Sequence, residues 1–194
     1  MKSIKSLFYI FLNLIFISSH SHASADAAKM FVEKVSKDAL GIITSQAPNK
    51  EKEDKLSQLF IESVDTKWIA KFAMGAYWRE ASEEQRKLYV ENHRIFLLSG
   101  YIPKFKEYNN QEIKINKSYE ESNNEYMVET QIIGKDGTAI NVNYKIHKDN
   151  GKFMVFDILA EGVSLITTQR SDFASILSRQ GGIDELIKML GNKA

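Results

Sequence analysis

The groups able to do chemistry in this 194-residue chain are few. There is no cysteine, and the histidines are His20, His22, His93 and His147. Without cysteine there are no disulfides, thiolate metal ligands or cysteine nucleophiles. His93 and His147 lie outside any H-E-x-x-H pattern, and two isolated histidines do not supply a three-histidine zinc site. Gly162-Val-Ser-Leu-Ile166 lacks the second glycine of a G-x-S-x-G nucleophile elbow. Gly181-Gly182 is missing the remaining glycines of a dinucleotide-binding loop, and there is no P-loop. A Ser/His/Asp triad stays open on composition, but no spacing recommends it. Asp157 stands in the apolar run Phe153-Met-Val-Phe-Asp-Ile-Leu159, where an ionised carboxylate is costly unless partnered. It is either a general base poised by burial or half of a structural pair with a cation such as Arg170. The aromatic set Trp68, Phe72, Tyr77, Trp78, Phe96, Tyr101 and Phe105 is either core or the wall of a binding pocket.

Composition narrows the field. The chain is 43% hydrophobic and 26% charged, which is ordinary for a globular domain and unlike a disordered one. Lys and Arg total 26 against 25 Asp and Glu, so no basic excess is present to bind nucleic acid. Residues 1–25 read as a signal peptide. Lys2 and Lys5 precede an eleven-residue apolar run over 7–17, and Ala23-Ser24-Ala25 forms an A-x-A cleavage signal. That run is too short to cross a membrane, which takes roughly 18 or more apolar residues. Its removal takes two lysines and no acids, leaving 24 bases and 25 acids. The expected location is an export compartment.

The remaining sequence, 26–194, reads as one domain in three stretches. Over 26–108 the apolar period is helical: Ala28, Phe31, Val35, Ala39, Ile42 and Ile43 form one stripe, and Leu56, Leu59, Phe60 and Val64 another. Asp65 is placed to cap a short helix holding Trp68, Ile69 and Phe72. Ser82-Glu-Glu-Gln85 is a capping box opening a long helix that reaches Tyr108, with a bend at Pro103. Over 109–162 the period is two, giving four strands at 112–119, 125–134, 138–148 and 152–161. Turns at Ser122-Asn-Asn124, Gly134-Lys-Asp-Gly137 and Asp149-Asn-Gly151 make them an antiparallel meander. Ile140, Val142, Tyr144 and Ile146 share one face of the third strand. Over 163–191 two further apolar stripes form helices interrupted at Gly181-Gly182. Helices, meander and helices predict an α+β fold with a curved antiparallel sheet of about four strands packed by a helical layer.

Val64-Asp-Thr-Lys-Trp-Ile-Ala-Lys-Phe-Ala-Met-Gly75, then Tyr77-Trp78 and Gln85-Arg86, resembles the N-terminal half of the MlaC family. Asp157-Ile-Leu-Ala-Glu-Gly-Val-Ser-Leu-Ile-Thr-Thr-Gln-Arg-Ser-Asp-Phe173, followed by Gly182-Ile-Asp184 and Leu186, resembles its C-terminal signature. The family comprises periplasmic phospholipid-binding proteins, also called toluene-tolerance proteins. The resemblance implies an NTF2-like sheet and helical layer around an apolar lipid cavity. It also implies a carrier with phospholipid as cargo, no cofactor, no metal and no enzyme activity. Its implied partners are an outer-membrane lipoprotein–porin complex and an inner-membrane MCE-domain protein of an ABC transporter, and its implied role is maintenance of outer-membrane lipid asymmetry. On that reading the lipid-binding candidates are Trp68, Phe72, Phe96, Tyr101 and Phe105 from the helices. Val128, Ile140, Val142, Tyr144 and Ile146 join them from the sheet, and Val163, Leu165 and Ile166 from the exit of the fourth strand. Two other readings stand beside it: an exported chaperone for another apolar cargo, or an NTF2-like exported enzyme using Asp157 or His147.

Cleavage after Ala25 gives a mature chain beginning at Asp26. Intact-mass measurement on protein from the exported fraction checks this, and a species retaining residues 1–25 would identify the run as an anchor.

Overall fold

The meander is fixed by its turns. The computed structural model describes residues 19–108 and 110–192; the signal-peptide features over 1–18 lie outside the described residues. Strands β1 (Glu112–Ser122), β2 (Glu125–Ile133), β3 (Ala139–Asp149), β4 (Lys152–Ala160) and the short β5 (Val163–Ser164) pair antiparallel in the order β1-β2-β3-β4-β5. Asn150 and Gly151 join β3 to β4 with φ of 48° and 81°, the double left-handed geometry of a tight hairpin turn. Glu161 and Gly162 repeat it between β4 and β5 with φ of 48° and 80°. Glu161 is held in that conformation by Asn141, whose backbone N–H donates to its carboxylate and whose carbonyl accepts its N–H.

β4 carries an irregularity that lets it serve two layers. Val155 pairs with Ile146 and Asp157 with Lys145, which leaves Phe156 as the extra residue of a bulge. Val155 therefore joins Ile146, Tyr126 and Val128 in one apolar cluster, and Phe156 joins Ile69, Leu97 and Ile166 in another.

Helices α1 (Ser19–Thr44), α2 (Asn49–Ser63), α3 (Thr66–Met74), the single turn α4 (Tyr77–Glu80) and α5 (Glu83–Tyr101) precede the sheet, and α6 (Leu165–Leu177) and α7 (Gly182–Gly191) follow it. α1 starts before the expected cleavage point and passes through it without a break, and Ala25 packs with Ala28 and Val32 onto the sheet. Asp65 accepts the Trp68 N–H at 2.9 Å to cap α3, and Ser82 and Gln85 form the reciprocal capping box of α5. The long aromatic helix expected to bend at Pro103 instead ends at Tyr101 and tightens into a 3-10 turn, Ile102–Glu107. Pro103 has no N–H to continue the α ladder, and its ring crowds the carbonyl one turn back.

The helices form their own core, in which Ala70, Met74, Tyr89, Phe173, Leu186 and Leu190 are buried together. Close approach of α6 and α7 depends on Gly182: a Cβ there would lie 2.4 Å from the Ile176 carbonyl oxygen and 2.8 Å from the Leu177 Cα. Because those atoms are backbone, Gly182→Ala should lower stability by ~1–3 kcal/mol, read as a fall in melting temperature.

Candidate functional site

α1 is divided along its length. Ala25 and Ala28 are sealed against Tyr126, Val128, Ile146 and Val155, whereas Val32, Val35, Ala39, Leu40 and Ile43 face a cavity of about 460 Å³. Leu56, Leu59, Phe60 and Val64 of α2 supply a second wall. Tyr101, Phe105 and Tyr108 come from the end of α5 and the 3-10 turn, and Ile113, Ile132, Tyr144, Val155 and Ile158 form the sheet floor. Few polar groups interrupt this lining. Ser63 turns its hydroxyl back onto the Leu59 carbonyl at 2.6 Å. Burial pushes the Tyr144 hydroxyl pKa up, and burial together with nearby Asp157 does the same for Tyr101, so both phenols stay neutral. Lys104 and Glu107, which are exposed, also line the cavity, so it reaches the surface beside the 3-10 turn.

Of the residues expected from sequence, Tyr101, Phe105 and Tyr144 line this cavity. Leu165 and Ile166 line a smaller cleft beside it, which shares Phe60, Val64, Tyr101, Val155 and Ile158 with the main chamber. The others lie elsewhere. Trp68, Phe72 and Phe96 pack at the joint of α3, α5, α6 and β4, with Trp68 stacked on Phe72 at 5.3 Å and edge-on to Phe156 at 4.9 Å. Val128 and Ile146 are fully buried under α1, Val142 is half-buried, and Ile140 and Val163 are 47% and 59% exposed. The walls given by α1 and α2 were visible as the stripes Phe31–Val35–Ala39–Ile43 and Leu56–Leu59–Phe60–Val64. Nothing in those stripes separates a helix facing side chains from one facing a cavity.

Asp157, His147 and His93 each sit among structural groups. Asp157 is buried, and among the described residues no cation pairs with it. It accepts from the Ser164 hydroxyl at 2.6 Å and from the N–H groups of Ile158 and Ile166 at 2.8 and 3.3 Å, fastening β4 to the start of α6. The expected alternative partner Arg170 lies instead over the Phe72 ring, 4.9 Å from its centre, because the corner after β4 presents N–H donors to Asp157 directly. His147 Nε2 sits 3.0 Å from Asp65 Oδ2, and the ring stacks on Phe156 at 5.2 Å. His93 is fully buried among Tyr89, Phe96 and Phe173, and its Nε2 meets Gln169 Oε1 at 2.9 Å. Among the described residues no group of three or more His, Asp or Glu is placed to hold a metal ion. Neither is any helix among them long and apolar enough to cross a membrane.

Sheet and helices around a large apolar chamber, with charged groups where it meets the surface, define an α+β binding fold for an apolar or amphipathic ligand. Residues 33–192 match the MlaC protein family, and the chain belongs to it. It is 28% identical over 135 residues to the intermembrane phospholipid transport system binding protein MlaC of Haemophilus influenzae, covering 68% of this chain and 63% of that one. It is 27% identical over 129 residues to the toluene tolerance protein ttg2D of Pseudomonas putida, covering 66% and 60%. The chain thus spans less than two thirds of the length of these curated relatives. The fold matches that of a phospholipid-binding protein from Ralstonia solanacearum solved in complex with a phospholipid. The TM-score is 0.75 and the identity 21%, over 86% of this chain and 96% of that one.

The His93 surroundings predict a pH response. Burial lowers its pKa to about 4 against the opposing pull of the Gln169 contact. An unfolded chain takes up this proton near pH 6.5, so stability falls as pH drops from about 6.5 to 4 and is unaffected by this group below that. The loss across the window is on the order of 3 kcal/mol. His93→Gln should flatten the melting temperature across that window, and curves that stay parallel would place the acid sensitivity elsewhere.

Proposed function

We propose that this chain is a phospholipid carrier of an export compartment, its acyl cargo held between α1, α2, the 3-10 turn and the sheet. The observation that carries this reading is the chamber. Its 460 Å³ falls in the range of ligand sites, ~300–1,000 Å³, and its walls are aliphatic and aromatic on every contributing element. A methylene removed from water is worth ~0.8 kcal/mol, so a sixteen-carbon tail needs cover worth on the order of 12 kcal/mol to leave a bilayer. Dry walls supply that cover without a nucleophile, metal or cofactor. Asp157 lines the adjoining cleft but its oxygens are taken up by Ser164 and two backbone N–H groups, and His147 lines neither space, which favours a carrier over an enzyme.

Family membership and the phospholipid in the Ralstonia solanacearum structure support phospholipid over another apolar cargo. On this reading residues 1–25 are a signal peptide, residues 26–194 form one phospholipid-binding domain, and the periplasm is its location. Its partners are an outer-membrane lipoprotein–porin complex and an inner-membrane MCE-domain protein of an ABC transporter, and it serves outer-membrane lipid asymmetry. No nucleic acid takes part. Release requires a partner that opens the chamber or continues it with an equally dry surface.

Ala39→Trp tests the chamber, because Ala39 projects into it from α1. The variant should fold with a near-native melting temperature and carry less than half the wild-type lipid per molecule in native mass spectrometry. Val142→Trp, on a side chain outside the cavity, should leave lipid per folded molecule unchanged. Full lipid loading of a folded Ala39→Trp protein would move the cargo elsewhere.

A further inference from the structure

We propose that Lys104 and Glu107 read the cargo's headgroup and favour a zwitterionic one carrying both a phosphodiester and a primary ammonium. The inference rests on the phospholipid reading and adds to it a specificity that an apolar chamber cannot provide.

Both residues belong to the 3-10 turn Ile102–Glu107, and both line the chamber where it meets solvent. In a 3-10 turn side chains three apart eclipse one another, so Lys104 and Glu107 project from the same side. Tyr101, three residues before Lys104, lines the chamber as well. Opposite charges at this spacing ordinarily pair, yet among the described residues neither has an ion-pair or hydrogen-bond partner. Lys106, in the same turn, is satisfied by Glu53 at 2.7 Å. The turn thus neutralises the cation it points away from the chamber and leaves one cation and one anion at its mouth.

A tail-first lipid in the chamber brings its phosphodiester to this end. The Lys104 ammonium suits the phosphate, and the Glu107 carboxylate accepts from an ammonium one two-carbon link further on. A trimethylammonium group has no N–H to donate, and a glycerol headgroup, its phosphate already matched to Lys104, brings no cation to Glu107. Both residues are exposed, so discrimination is modest, about threefold.

The test loads lipid-stripped protein from vesicles holding equal amounts of phosphatidylethanolamine, phosphatidylcholine and phosphatidylglycerol with identical tails. Bound lipid is then extracted and counted by mass spectrometry. Wild type should enrich the ethanolamine lipid about threefold over each competitor. Glu107→Gln should return the bound mixture to the vesicle ratio, and Glu107→Lys should shift it toward the glycerol lipid. Uptake by wild type in the vesicle ratio, or an enrichment that survives Glu107→Gln, would overturn the inference and leave the carrier reading standing. A wild type that takes up no diacyl lipid would overturn both.

Discussion

An apolar space must be held open against the tendency of the chain to close it, and the rest of the structure answers to that constraint. Apolar wall left without apolar contents forfeits ~25 cal/mol for each Å² it would otherwise bury, so side chains lining a chamber of about 460 Å³ stabilise the fold far less than the same side chains packed together would. The fold must therefore gain its stability away from the chamber. It does so in three sealed clusters: the all-helical core under Tyr89 and Leu186, the joint around Phe156, and the first half of α1 on the sheet. α1 meets the constraint within one helix, because small residues at Ala25 and Ala28 seat it on the sheet before Val35 to Ile43 pass over the cavity.

The two layers need a rigid connection for the space between them to keep its shape. Polar groups make it. Asp65 caps α3 through the Trp68 N–H, donates its own N–H to the Val155 carbonyl and approaches His147, while Val64 bridges to Val155 in parallel. On the other side Asp157 gathers Ser164 and two backbone N–H groups, which fixes the direction in which α6 leaves the sheet. A buried carboxylate needs donors for its oxygens, and each donor here belongs to the corner it must hold.

This division explains what the sequence made legible. Caps and turns are local, so Asp65, the Ser82–Gln85 box and the Asn150-Gly151 hairpin were readable from a few adjacent residues. Strand alternation correctly grouped Ile140, Val142, Tyr144 and Ile146 on one face, but parity says nothing of what covers a face. α1 seals Ile146, the chamber takes Tyr144, and Ile140 is left at the surface. The aromatic density at Trp68, Phe72 and Phe96 pointed to the helical layer, where those rings pack the joint with Phe156. Aromatic rings suit such a joint because stacked and edge-on contacts tolerate one strand facing two layers. The α1 and α2 stripes lacked any composition to set them apart, since a lipid tail and a leucine side chain ask the same of a helix.

Chemically, the chamber is polarised along its length. Its buried lining includes Val32, Leu56 and Val155, and its exposed lining is Lys104 and Glu107. An amphipathic molecule entering tail-first gains apolar cover with each methylene and keeps its charged group in water, whereas the reverse orientation would bury a charge at prohibitive cost. Orientation thus follows from the walls, apolar inside and charged where they meet solvent. The same asymmetry sets how the ligand leaves. On the proposed carrier reading, hydration of the tail opposes exit into water, so the rate of release would be governed by how far an acceptor surface extends dry contact to the mouth beside the 3-10 turn.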